Sequence, residues 1–339
     1  MGAQDLHGNT IALPSCGGCG YTHGMNDSLH FGPRFDIAAH SMVGTGPTQR
    51  EENQDNYLLI DHDGTAEYLA SQEPRRRRVA GWPRGHARVA VLDGMGGHGH
   101  GREAAEAVVN GLLAIPACST IADLARHLDA LHARLQHDFA RIEHSPLRPG
   151  TTLTMLELPA HGPALLYHVG DSRLYEIGAG RATPLTIDHV PATAYAMAGL
   201  IDERAWWQQV HGEHRPQISQ AFILGNTFDD PLLLSDPLRE LRAGELPEWL
   251  GPLQDRRPIV LHPGATYLLA TDGFWSCPDA QRWVGSWPGL FGSNADARHM
   301  VDALFGEIGA QPPPGLHSDN LTAIVLRPQA LDETALPAA

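Results

Sequence analysis

Four times in this chain a strongly apolar run is bounded by an aspartate. Arg88-Val-Ala-Val-Leu92 ends in Asp93-Gly94, and Ala164 to Val169 ends in Gly170-Asp171. Ala265 to Ala270 ends in Thr271-Asp272-Gly273, and Asn320 to Leu326 is led in by Asp319. Short apolar runs stopped by glycine-flanked turn residues predict buried strands that end at turns. One such aspartate is ordinarily a turn residue, because its side chain bonds nearby backbone. Four of them form a pattern. Strand ends at one edge of a sheet converge, so these carboxylates can share a site.

Other elements follow from the same signals. Arg34 to Ser41, Tyr57 to Ile60 and Thr151 to Leu158 predict strands, with Asp61-His-Asp-Gly64 as a turn. Arg173 to Ile177 leaves the Gly170-Asp171-Ser172 turn as another strand, which predicts a hairpin. Residues 102–114 suit a helix, and 120–143 a longer one. On the longer one Ile121, Leu124, Leu128, Leu131, Leu135, Phe139 and Ile142 share a face, which reads as core rather than a cofactor box. A further helical stretch is expected around 294–308. The basic run Arg75 to Arg78, beside Pro74, predicts an exposed loop. It is simply solvated in one reading and a docking patch for an acidic partner in the other. Residues 190–260 mix short helical pieces, prolines and the pair Trp206-Trp207. Residues 1–33 predict a flexible extension, 34–327 the functional domain and 328–339 a frayed tail.

Bulk properties exclude several classes. Asp and Glu total 39 against 24 Lys and Arg, a formal net charge of -15. Such a surface repels phosphodiester backbones, so no nucleic-acid partner is expected. The four cysteines are too few for a disulfide scaffold. There is no apolar run of about 18 residues and no basic-then-apolar leader, so no membrane partner and a cytoplasmic location are expected. A monomer is the expected state. Cys16-Gly-Gly-Cys19 has zinc or redox spacing but lacks a matching second pair, so a flexible glycine-rich extension is the simpler reading. Cys118 and Cys277 are expected as buried thiols, and Phe274 and Trp275 as core or pocket wall. The glycine-rich stretch 94–101 lacks the Gly-Lys-Ser/Thr ending of a phosphate loop.

Gathered carboxylates serve a hard cation. Magnesium and manganese take oxygen ligands, and acids held together repel one another unless positive charge intervenes. Two metals roughly 3.5–4 Å apart can share a water, acidify it and clamp a phosphoryl group. A glycine after the acid lets a carbonyl such as that of Gly94 join the ligands. An anionic substrate also needs a positive grip, for which Arg50 in Arg50-Glu-Glu-Asn-Gln-Asp55 is the candidate. A surface ion pair is the plainer reading of that arginine.

Taken in order, these pieces resemble the metal-dependent type 2C serine/threonine protein phosphatases, in particular their bacterial branch. The matching segments are Arg50 to Asp55; Val91-Leu-Asp-Gly-Met-Gly-Gly-His98 with Gly101; Gly150-Thr-Thr152; Val169-Gly-Asp-Ser-Arg173; Thr186-Ile-Asp-His189; Leu224-Gly225; Leu269-Ala-Thr-Asp-Gly-Phe-Trp275; and Ser318-Asp-Asn-Leu-Thr322. The resemblance covers about residues 34–327. It implies an α+β fold, a four-layer α-β-β-α sandwich of two antiparallel sheets flanked by helices. It implies two divalent ions, Mn²⁺ or Mg²⁺, with a weaker third. Asp93 would bridge both ions, with the Gly94 carbonyl on one and Asp272 and Asp319 on the other. Asp55 would act mainly through metal-bound water, Arg50 would grip phosphate, and Asp171 would hold the third ion with Asp272. Arg50, Asp93 and Asp272 would be the catalytic residues. The implied reaction is direct hydrolysis of phosphoserine and phosphothreonine by a metal-bridging hydroxide, without a phospho-enzyme. The implied partners are phosphorylated proteins, a serine/threonine kinase or its targets.

The chain departs from the family pattern in places. Gln54 stands where Glu is common, which weakens a water-mediated metal contact. Met95 stands where some members carry a proton-donating His, which leaves the general acid open; His40, His98 and His100 are the stand-ins. Ala265 after Pro263-Gly264 is read as a turn difference. Two other readings use the same fold: a catalytically silent binding or sensing module, and a small-molecule phosphoesterase.

Overall fold

The computed structural model describes residues 29–44, 50–96, 100–140, 148–212, 217–230, 232 and 237–330. Strand β5 (Ala87–Leu92) shows how the apolar runs are used. All six residues are buried, and they alternate between two cores. Val89 and Val91 face a second sheet, while Ala90 and Leu92 face helices. A strand covered on both faces has no polar side, so its sequence reads as one apolar run.

The strands are β1 (Phe35–Met42), β2 (Asn56–Ile60), β3 (Thr65–Ala70), β4 (Glu73–Arg78), β5, β6 (Leu153–Leu158), β7 (Ala164–Val169), β8 (Arg173–Gly178), β9 (Arg181–Pro184), β10 (Arg256–Ile259), β11 (Thr266–Ala270) and β12 (Leu321–Pro328). One sheet has seven strands in the order β10-β7-β6-β5-β2-β3-β4. The other has five, in the order β1-β12-β11-β8-β9. Every neighbouring pair is antiparallel. Between the sheets Tyr57, Leu59, Leu156 and Leu166 meet Leu174, Tyr267, Leu269 and Ile324.

Helices complete four layers. Helices α1 (Gly101–Ala114) and α2 (Ile121–Phe139) cover the seven-stranded sheet through Val108, Leu112, Leu124 and Leu128. Thr120 caps α2 by accepting from the Asp123 N–H at 3.2 Å. Helices α5 (Ala280–Gly292) and α6 (Ala297–Ala310) cover the five-stranded sheet through Trp287, Phe291, Val301 and Leu304. Two short helices, α3 (Pro191–Met197) and α4 (Glu203–Trp207), belong to a separate small core. There Ile187, Val190, Trp206, Leu241 and Leu250 pack together. No helix among the described residues is long and apolar enough to cross a membrane.

The expected strands recur within a residue or two, and the four-layer α+β architecture is the one the resemblance implied. Two expectations fail. Arg75 to Arg78 is not a loop but most of β4, an edge strand paired with β3. Edge strands take charge on both faces, so the run carried no periodic signal. The segment around Gly170-Asp171-Ser172 is not a hairpin turn, because β7 and β8 lie in different sheets. The chain crosses between sheets there, with Gly170 at φ +110, where a Cβ would sit 2.6 Å from the Thr152 side chain. Helix α5 gave no sequence signal because Gly285, Pro288 and Gly289 are poor helix formers. Its buried Trp283, Trp287 and Phe291 recur every four residues and hold it to the sheet. Cys118 and Cys277 are buried free thiols. Cys16, Cys19 and His98 lie outside the described residues.

Candidate metal centre

The five-aspartate arrangement is a product of strand ends. Asp55 leads into β2 and Asp93 follows β5. These strands are antiparallel neighbours with Asn56 opposite Leu92, so the two acids share one edge. Asp171 lies on the crossing from β7 to β8. Asp272 lies just past β11, and Asp319 just before β12, at the end where Ala270 pairs with both Arg173 and Ala323. Both sheets therefore deliver their acids to the same edge of the sandwich.

Hydroxyls and amides fix these positions. The Thr152 N–H donates to the Asp93 carbonyl at 2.9 Å. The Thr152 hydroxyl accepts from the Asp93 N–H at 2.9 Å and meets the Ser172 hydroxyl at 2.6 Å. Thr271 donates its hydroxyl to Asp55 Oδ2 at 2.8 Å. Ser276 donates to the Asp272 carbonyl at 3.0 Å. Asn320 is a clasp that motif reading passed over. Its Oδ1 accepts from the Gln54 N–H at 2.8 Å, while its amide donates to the carbonyls of Val43 at 2.9 Å and Glu52 at 3.1 Å. The loop from Arg50 to Asp55 is thus tied to the start of β12. Gly94 sits where backbones nearly touch, since a Cβ there would lie 2.4 Å from the carbonyl oxygens of Gln54 and Gly101.

The electrostatics follow from burial and like charge. Asp55 is 3% exposed and Asp171 4%. Burial, then the charges of Asp55, Asp272, Asp319 and Asp171, push the Asp93 carboxyl well above the usual carboxylate range. Burial and repulsion from Asp319 and Asp272 outweigh the Thr271 hydrogen bond and hold Asp55 up at about 8. Asp319 is raised by burial and by Asp272, with Arg50 pulling the other way. An all-oxygen, mutually repelling set is the donor chemistry of a hard divalent cation, so these residues fit one. The acids are neighbours without closing tightly. Among the described residues no group of three His, Cys, Asp or Glu side chains stands ready to hold an ion.

Arg50 lies at the rim, half exposed, with Nη2 2.9 Å from Asp319 Oδ1 and Nε 3.4 Å from the Ser318 carbonyl. The ion-pair reading of this arginine is therefore realised, within reach of the acids. The Gln54 amide donates to Glu52, which also pairs with Arg102. Met95 lies in a two-residue ribbon opposite Gly150. Of the stand-in proton donors, His40 stacks on Phe305 at 4.1 Å and meets Asp302 at 3.4 Å, facing α6. His100 immediately precedes α1. The remaining motif residues are structural. Arg173 pairs with Asp188 at 2.7 Å, donates to the Val210 carbonyl and lies 4.7 Å over the Trp275 ring. His189 accepts from the Gly170 N–H at 3.2 Å and faces Asp255.

No family model matches the chain. The curated serine/threonine protein phosphatase PstP of Mycobacterium tuberculosis is 29% identical over 160 residues. That match takes in 46% of this chain and 29% of PstP, so it spans under a third of that relative. Among solved structures, Staphylococcus aureus Stp1 superposes with a TM-score of 0.59 at 17% identity, covering 89% of this chain and 98% of Stp1. The catalytic domain of PstP in complex with two manganese ions gives 0.53 at 20% identity, covering 88% and 99%. At such identities the structural likeness speaks for the fold alone. Together with the PstP match, it shows that this chain has the fold of, and resembles, the bacterial metal-dependent type 2C phosphatases.

Proposed function

We propose that the chain is a metal-dependent phosphatase of phosphoserine and phosphothreonine in proteins, opposing a serine/threonine kinase, with residues 34–327 as its catalytic domain. The observation that carries this is the delivery of Asp55, Asp93, Asp171, Asp272 and Asp319 from separate strand ends to one edge, with Arg50 at its rim. Asp93, Asp272, Asp319 and the Gly94 carbonyl are the residues that would hold two divalent ions, with Asp55 beside them and Asp171 at a weaker third position. Bound there, the ions would supply Lewis-acid polarisation of a phosphoryl group. Manganese in the PstP catalytic domain supports that pair of ions, without deciding between manganese and magnesium.

The chain's own residues bind and orient. Arg50 is half exposed and held at Nη2 by Asp319 and at Nε by the Ser318 carbonyl, and among the described residues Nη1 has no partner, so the guanidinium can still reach a phosphate. Thr271 and Thr152 hold Asp55 and Asp93 in place, which spares the reaction that reorganisation.

The test has two readouts. Titration calorimetry with manganese should show binding to the wild type that Asp272→Asn weakens by about tenfold or more. Hydrolysis of a phosphothreonine peptide should need the metal and fall steeply in that variant. Metal binding without hydrolysis would leave a silent module, and undiminished hydrolysis in Asp272→Asn would defeat the assignment.

A further inference from the structure

Asp171 lies on a crossing that the segment Thr186-Ile-Asp-His189 grips on both sides. Downstream of Asp171, the Leu174 N–H donates to the Thr186 hydroxyl at 3.2 Å, and Asp188 pairs with the Arg173 guanidinium at 2.7 Å. Upstream, His189 takes both polar groups of the Gly170 backbone. Its N–H donates to the Gly170 carbonyl at 2.8 Å, and its Nδ1 accepts from the Gly170 N–H at 3.2 Å.

The His189 ring is fixed both in place and in tautomer. It is fully buried, tilted against the His168 ring at 5.1 Å and edge-on to Phe228 at 6.0 Å. Its Nδ1 also accepts from the Gln220 side-chain amide at 3.1 Å. Amide nitrogens only donate, so Nδ1 carries no proton and Nε2 does. Nε2 lies 3.3 Å from Asp255 Oδ2, an atom that also accepts from the Leu241 N–H at 3.1 Å.

The same contacts reach into the small core. The Ser219 N–H donates to the His189 carbonyl at 2.7 Å. The Gln220 side chain accepts from the Arg239 N–H at 2.6 Å and donates its second amide hydrogen to the Arg239 carbonyl at 3.0 Å. Val190, next in the chain, and Leu241 are members of that core. His189 therefore joins the small core to the residue that precedes Asp171.

We propose that His189 is a positioning residue for Asp171: its Nδ1 holds Gly170 and so sets where the Asp171 carboxylate stands at the acid edge. It acts through Gly170 and not on reacting atoms. Gly170, at φ +110, has the backbone freedom of a residue without a Cβ, so the acid that follows it needs an outside hold. The role rests on the reading of Asp171 as the holder of a weaker third ion. Partners that orient a metal-holding side chain typically change metal affinity by about 10–100-fold.

Asparagine and glutamine separate the two ring nitrogens. Asparagine can place its carboxamide oxygen where Nδ1 stands, whereas glutamine reaches to the place of Nε2 and leaves the Gly170 N–H without its acceptor. Manganese is titrated calorimetrically into the full chain, with Asp171→Asn as the reference that lacks the weak phase. His189→Gln should weaken the weak phase by about tenfold and leave the tight phase unchanged, while His189→Asn stays close to wild type. In EDTA, hydrogen exchange at the Gly170 amide should quicken in His189→Gln and not in His189→Asn. Circular dichroism melting checks that each variant is folded. The proposal is overturned by equal behaviour of the two variants, by both phases weakening together in His189→Gln, or by a weak phase that this variant leaves intact. Should His189→Gln not fold, loss of the weak phase in His189→Asn still overturns it. A wild type with a tight phase alone would overturn it too and leave the two-ion reading standing, whereas a wild type that binds no manganese would remove both.

Discussion

Replacing Asp55 with asparagine is expected to stabilise the metal-free fold, increasingly as pH rises. Burial and its acidic neighbours hold the Asp55 carboxyl at about 8 in the folded protein, against an ordinary value of 3.8. Between these values the folded state keeps a proton that the unfolded state has released. Stability is therefore fully present below the lower value and is lost as pH rises toward the upper one. A gap of roughly 4 pH units at about 1.4 kcal/mol each sets a ceiling of about 6 kcal/mol at pH 8 and about 2 kcal/mol at pH 5. Asp93 and Asp319 share the same protons, which lowers both figures. Asparagine removes the charge but keeps an oxygen for the Thr271 hydroxyl, now 2.8 Å away. We expect Asp55→Asn to gain about 2–3 kcal/mol at pH 8 and about 1 kcal/mol or less at pH 5. The assay is urea unfolding in EDTA at both pH values, comparing variant with wild type at each. Added manganese should erase the advantage, because an ion bound only to the folded state stabilises it by mass action. A variant no more stable than wild type at pH 8, or equally favoured at both pH values, would refute the account of the cluster's charge.

Three further substitutions test other parts of the structure. Arg173→Met leaves Asp188 buried without its partner, and chemical denaturation should show a loss of about 3–5 kcal/mol. Asn320→Ala removes the clasp on Gln54, Val43 and Glu52. It should cost about 1–3 kcal/mol and speed hydrogen exchange at the Gln54 amide. Arg50→Ala should raise KM for a phosphopeptide more than it lowers kcat, with only partial rescue by Arg50→Lys because an ammonium cannot grip phosphate bidentately.

Local chemistry is why much of this protein is legible before its structure. Apolar runs such as Ala87–Leu92 and Thr266–Ala270 announce buried strands because both their faces are covered, and the acids at their ends announce a shared edge. The stripe on α2 announces its buried face for the same reason. Signals failed where local preference and final environment disagree. Four arginines suit a loop, yet β4 is held as a strand by pairing with β3. Glycines and a proline argue against a helix, yet Trp283, Trp287 and Phe291 hold α5 in place by packing.

The sequence by itself determined the apolar strands that carry the acids and which acids lie at their ends, since hydrophobic periodicity and turn chemistry act over a few residues. Tertiary structure decided which sheet each strand enters, and so turned the expected hairpin at Gly170 into a crossing that carries Asp171 to the common edge. It also decided partners that no local pattern encodes: Gln54 with Asn320, 266 residues apart, and Arg50 with Asp319. Such contacts depend on how sheets stack and register, and that is settled by burying apolar surface from the whole chain at once.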